Sequence, residues 1–142
     1  MMKRMRSEKG NALLEAAVTV PIILLISVGI FEFGRAYQTQ QVLTNAAREG
    51  ARMAVIEGTT DADIRTRVND YLRGGGLKTL GDANIPIARA VRLTPSSTAS
   101  TVGINYPFEF MVLNPIVRLI APTDRTTGAP ITMKAATLMR NE

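Results

Sequence analysis

The apolar positions along this chain fall into three patterns. From Ala12 to Phe31 the run is apolar for 20 residues, with Glu15, Thr19 and Ser27 as its polar interruptions. At about 1.5 Å per residue, a helix over this run spans about 30 Å, the hydrocarbon thickness of a bilayer. From Glu32 to Gly58 polarity rises through Gln38, Gln40, Gln41, Asn45, Arg48, Glu49 and Arg52, while Leu43, Ala47, Gly50, Ala51 and Ala54 recur at helical spacing. One helix over Asn11–Gly58 would be about 70 Å long, beyond globular practice, so part of it is expected in a membrane or an assembly. Ile64, Val68, Tyr71 and Leu72 then share one face of a second helix, about Asp61–Arg73. Thr60 and Asp63 have capping-box spacing at its start, and Gly74-Gly75-Gly76 stops it.

After Ile85 the period becomes two. Ile85, Ile87, Val91 and Leu93 alternate, with Arg89 interrupting. Val102, Ile104, Tyr106, Phe108 and Phe110 alternate strictly, as do Ile131, Met133, Ala135, Thr137 and Met139. Pro107 argues for an edge position or a bulge in the middle strand. Pro95-Ser96-Ser97 reads as a turn, Ile116–Ala121 as a short turn of helix and Ala121–Pro130 as a loop. The expected fold class is α+β: a long N-terminal membrane-spanning helix continuing into a small domain with a second helix and a three-stranded antiparallel sheet. The expected segments are a basic leader, 1–10, a transmembrane or assembly helix, 11–34, and an α+β domain, 35–142. In that domain helices are expected at about 35–58 and 61–73, and strands at about 85–93, 101–110 and 130–139.

Charge changes this picture at one end. The formal net charge is +5, and the leader's Lys3, Arg4, Arg6 and Lys9 against Glu8 supply +3 of it. The high pI is therefore largely a leader effect and argues weakly for nucleic acid, which is not an expected partner. Bases before the apolar run place that end in the cytoplasm and the 35–142 domain on the far side, the periplasm of a Gram-negative cell. Arg35 flanks the other end. A secretory signal peptide is the rival reading. The run exceeds the usual 7–15 residue apolar region of such peptides and carries an acid near its start, which favours a retained span. A buried soluble helix is the third reading. Pro21 removes one backbone donor inside the run and is expected to bend the helix.

The small pairs Ala46/Gly50, Ala47/Ala51 and Gly50/Ala54 let another backbone approach closely. The core face of an amphipathic helix packing on its own domain is the favoured reading and a face for packing between molecules the rival. One helix can do both on different faces, so Ala46, Ala47 and Gly50 are candidate packing residues in either sense.

The chain contains neither His nor Cys. That removes the commonest general base, the thiolate nucleophile, disulfides and the usual zinc ligands. Its acids are scattered, and Lys9, Lys78 and Lys134 form no Ser-x-x-Lys pattern. Gly74-Gly75-Gly76 lacks the Gly-Lys-Ser/Thr ending of a phosphate loop. Arg65, Arg67 and Arg73 read as a solvated face. Asp61 and Asp63 complement a helix dipole. No enzymatic activity, cofactor or metal is expected.

What remains is the start of the chain: a basic leader, Gly10, four residues, Glu15, then the apolar run. A carboxylate there costs about 2.5–3.5 kcal/mol on insertion scales, so it invites a functional reading. The pattern resembles a type IV prepilin processing site, in which a membrane peptidase cuts after the glycine. The resemblance makes Gly10 the residue before the cut, Asn11 the new N-terminus and Glu15 the fifth mature residue. Glu15-Ala16-Ala17-Val18-Thr19-Val20-Pro21, Phe31-Glu32-Phe33-Gly34-Arg35 and Val42-Leu43-Thr44-Asn45-Ala46-Ala47-Arg48-Glu49-Gly50-Ala51-Arg52 are similar to the TadE-like family of the tight-adherence (Flp, type IVc) pilus system. The ending Thr137–Glu142 is similar to that family's usual close. Ala16 stands where major Flp pilins carry an aromatic residue. With the large body, that implies a minor pilin or pseudopilin. The resemblance implies a pilin-like fold and a single-pass inner-membrane protein with a periplasmic domain. It also implies a role in pilus assembly, surface adhesion and biofilm formation by helix packing. The implied partners are the inner membrane, a prepilin peptidase, other Tad pseudopilins or the Flp pilin, and the Tad assembly platform. A membrane-anchored exported binding module and a pseudopilin of another secretion system are the alternatives.

Overall fold

The computed structural model describes residues 2–94, 97–115 and 129–141, with side chains from Gly10 onward apart from Leu93. The elements are α1 (Met2–Ala54), α2 (Asp61–Gly74), a 3-10 turn (Asp82–Asn84), β1 (Ile87–Thr94), β2 (Ser97–Phe108) and β3 (Ile131–Arg140). The expected α+β class is present: a long apolar N-terminal helix, a second helix and an antiparallel sheet in the order β1-β2-β3. The chain divides into two compact units. One is Met1–Gly34 with Phe110–Gly128, the other Arg35–Glu109 with Ala129–Glu142.

Helix α1 begins at Met2, so the basic leader is helical too and Gly10 does not interrupt it. Met, Arg, Lys and Glu are good helix formers, and one Gly costs only about 1 kcal/mol. The helix ends at Ala54, ahead of the expected Gly58, which takes a left-handed φ of 82° in the connection to α2. In the first unit the α1 side chains Leu13, Leu14, Val18, Ile22, Ile23, Leu24, Leu25 and Ile26 are all more than half exposed. Ser27 donates its hydroxyl hydrogen to the Ile23 carbonyl at 2.8 Å, which pairs a hydroxyl within the apolar run.

The second unit holds the core. Leu43, Ala46, Ala47 and Ala51 of α1 are fully buried, as are Ile64, Val68 and Leu72 of α2, Ile85, and Val102 of β2. Tyr71, expected on the same face of α2, is 41% exposed. It lies at the edge of the stripe, and Leu72 takes the buried place. The start of α2 is a full capping box: Asp63 donates its backbone N–H to Thr60 Oγ1 at 3.2 Å, and Thr60 returns its own N–H to Asp63 Oδ2 at 3.0 Å. Asn69 fixes the chain after α2 by exchanging two hydrogen bonds with the Leu80 backbone, at 2.8 and 3.0 Å.

Strand β2 is central. It pairs with β3 from Ala99↔Arg140 to Phe108↔Ile131 and with β1 from Thr94↔Ser97 to Ile87↔Val102. Pro107 lies in the central strand but past the end of its pairing with β1, so it holds a local edge position, as expected, and not a bulge. It is tolerated because β1 pairing has already ended at Val102, so β2 has a strand neighbour on one side only at that point. A bulge does occur, in β1, where the register shifts between Ala88 and Val91. Ala90 carries it with a φ of 50°. This is the physical cause of the broken alternation at Arg89. Pro95 and Ser96 of the expected turn, the expected turn of helix at 116–121 and most of the loop at 121–130 lie outside the described residues.

Candidate functional site

Gly10, Asn11 and Glu15 lie on α1 and are exposed. A Cβ at Gly10 would meet nothing within 4 Å, so the glycine is not there for internal packing. Its physical consequence is a weak point in the helix, since glycine in a helix interior loses about 1 kcal/mol relative to Ala. Glu15 makes no ion pair among the described residues. Pro21 lies inside α1, between residues that are themselves exposed. Among the described residues this is the one helix long and apolar enough to cross a membrane: within Gly10–Ala54 an 18-residue window has mean hydropathy 2.4 and none of it is buried. At the end of the apolar run Glu32 is fully buried and accepts a hydrogen bond from the Val112 N–H at 2.5 Å.

The small residues sit elsewhere. Ala46, Ala47 and Gly50 belong to the second unit and face inward. A Cβ at Gly50 would come within 2.7 Å of Val68 Cγ2 and 3.0 Å of Val102 Cγ1, so α1 meets both α2 and β2 there. Gly75 plays the matching role at the far end of α2, where a Cβ would fall 2.5 Å from Val42 Cγ1.

Several side chains escaped the sequence reading. Arg35 lays its guanidinium over the Phe108 ring, 4.5 Å from the centroid, and donates to the Glu109 carbonyl. Gln40 donates to the Lys134 carbonyl at 3.1 Å, so α1 also holds β3. Arg89, re-aimed by the bulge, binds Asp61 Oδ1 at 2.6 Å and the Thr59 carbonyl at 2.7 Å, and so closes the entry to α2. A bulge on a non-glycine residue leaves no trace in composition. The broken alternation at Arg89 was the available signal. The arginines of α2 are paired, Arg67 with Glu49 at 2.8 Å, Arg73 with Asp70 at 3.0 Å and Arg65 with Asp82 at 3.6 Å.

The Arg67 hydrogen bond holds the Glu49 carboxyl below its ordinary range. Hydrogen bonds from the Thr60 side chain and backbone do the same for Asp63. An open groove of about 460 Å³ lies between α1 and α2, lined by Gln38, Gln41, Asn45, Arg67, Asp70 and Tyr71 among others. Asp70 is its one carboxylate, so it offers no acid–base pair. No group of three or more acidic residues that could hold a metal occurs among the described residues.

No curated protein and no solved structure matches this chain. One family does. Its match begins at Gly10 and ends at Arg52, so it takes in the glycine, the acid, the apolar run and the small-residue face, and leaves out α2 and the sheet. Over residues 10–52 the chain is similar to the TadE-like protein family.

Proposed function

We propose that the chain is a minor pseudopilin of a Tad/Flp pilus system. It supports pilus assembly, and through it surface adhesion and biofilm formation, by helix packing and not by turnover. The observation that carries this reading is the TadE-like match over residues 10–52, which takes in the exposed apolar run of α1 together with Gly10 and Glu15. In this reading residues 11–34 cross the bacterial inner membrane once. The four leader bases hold the N-terminus in the cytoplasm and the 35–142 domain lies in the periplasm. A prepilin peptidase cuts after Gly10, where the glycine lowers the cost of unwinding the helix into the extended form a peptidase needs. The new amine at Asn11 is cationic, and Glu15 of a neighbouring subunit pairs with it inside the helical bundle. The pairing neutralises a carboxylate that hydrocarbon penalises and fixes the axial register of adjacent helices. Pro21 bends the span. Other Tad pseudopilins, the Flp pilin and the Tad assembly platform are the partners.

The test is photo-crosslinking in the native cell, with a crosslinker at Val18 on the exposed run and another at Ile56 beyond the end of α1. Adducts with Tad pilins or platform proteins from Val18 support the proposal. Adducts with lipid alone from Val18, with no Tad component from either site, contradict it and leave a membrane-anchored module.

A further inference from the structure

The chain has seven aromatic residues, four Phe and three Tyr. None precedes Phe31, and Phe31, Phe33 and Tyr37 then follow within two turns of α1. In the sheet Tyr106 and Phe108 are buried, at 8% and 3% exposure. The three on α1 are the opposite, at 59%, 68% and 68%. Burial inside the molecule does not explain them. Their place does: they stand where the apolar run ends and the polar half of the helix begins.

From these residues we infer that Phe31, Phe33 and Tyr37 form an aromatic belt that seats α1 in the headgroup layer at one membrane face. The partner is the interfacial region of a phospholipid bilayer, and the inference rests on the membrane reading above. If Ala12–Phe31 fills the hydrocarbon, Phe33 lies about 3 Å and Tyr37 about 9 Å beyond it along the helix. The headgroup layer is about 5–8 Å deep on each side. Phe33 falls within it and the Tyr37 hydroxyl reaches its wet side, the arrangement amphipathic rings favour. The cation at this end is engaged by protein: Arg35 is committed to the Phe108 ring and the Glu109 carbonyl. The two ends of the span are thus anchored by different chemistry, bases before it and aromatic rings after it.

The absence of tryptophan makes the test direct, because one introduced Trp is the only indole in the chain. The full chain is placed in phosphatidylcholine–phosphatidylglycerol vesicles with bromines at defined acyl-chain depths. Three variants are compared: Ile22→Trp, Phe33→Trp and Tyr37→Trp. All three positions are exposed, so the ring is accommodated. The expected result is strongest quenching of Ile22→Trp by the deepest bromines, and of Phe33→Trp by the shallowest. Tyr37→Trp is expected to be quenched by the shallowest bromines alone, and more weakly. Quenching of Ile22→Trp with no quenching of Phe33→Trp or Tyr37→Trp overturns the belt and leaves the span intact. Failure of any bromine to quench Ile22→Trp overturns both.

Discussion

Gly50 of α1 and Val68 of α2 stand so close that a Cβ on the glycine would lie 2.7 Å from a valine methyl. The contact explains why the small-residue face is small: α1 is drawn against α2 and β2 inside the molecule. Substituting Gly50 sets two effects against each other. Ala gains about 1 kcal/mol of helix propensity. It must also push aside a β-branched side chain in a filled core, and overpacking costs about 1–3 kcal/mol. Gly50→Ala is therefore expected to lower stability by about 1 kcal/mol, and Gly50→Val by more. Adding Val68→Ala to Gly50→Ala is expected to recover part of the loss, because the two sites are in contact and couple. Denaturant unfolding of the purified chain checks this. Strict additivity of the two single changes would show that the contact carries no energy.

The capping box gives a pH dependence. Thr60→Ala is expected to cost about 1 kcal/mol through the lost N-cap. Asp63 and Glu49 are both held below their ordinary carboxyl values in the fold, Asp63 by hydrogen bonds from Thr60 and Glu49 by its hydrogen bond with Arg67. As pH falls, the unfolded chain takes up protons first. The stability these groups lend is complete above the ordinary carboxylate range, about 3.9–4.3. It is lost as pH drops through that range and then through the lower values of the folded state. Melting temperature against pH should fall on this acid limb, and Asp63→Asn should flatten it. An unchanged slope would remove Asp63 from the account.

Ala90 is exposed and has a φ of 50°, where an L side chain costs about 1–2 kcal/mol and glycine nearly nothing. Ala90→Gly is expected to stabilise the chain by up to about 1 kcal/mol. Ala90→Val is expected to destabilise it by more than that, with the loss of the Arg89–Asp61 pair as the bulge shifts. Thermal unfolding ranks the three.

Gly10 and Glu15 yield separate readouts. The intact mass of the chain recovered from membranes of cells with an active prepilin peptidase is expected to correspond to a start at Asn11. Gly10→Leu should restore a start at Met1. Glu15→Ala should leave the cut in place and abolish crosslinks between subunits along the span. A wild-type mass that starts at Met1 in such cells contradicts the processing step.

How much of this was legible in the sequence follows the range of the interactions. Helix α2 was readable because its determinants are local: Thr60 and Asp63 lie three residues apart, and Ile64, Val68 and Leu72 repeat at helical spacing. Strands β2 and β3 announced themselves by strict alternation. The β1 bulge was not readable as a bulge, since Ala90 has no composition signature and only Arg89 out of phase hinted at it. Pro107 marked a locally unpaired edge of β2, but which neighbour is missing there depends on where β1 stops. The small-residue face told that something packs closely. Its partner is set by residues 18 and 52 positions later, Val68 and Val102, a long-range fact that spacing within α1 does not contain. Arg35 on Phe108 is of the same kind.

The central claim is that this chain works within a Tad pilus, and counting pili tests it most directly. The gene is deleted in the cell that encodes it and complemented with the wild-type chain or with Glu15→Ala, and Flp pili are counted by electron microscopy. The account predicts few or no pili after deletion, recovery with the wild type, and poor recovery with Glu15→Ala at equal membrane abundance. Wild-type pilus numbers in the deletion strain would contradict it.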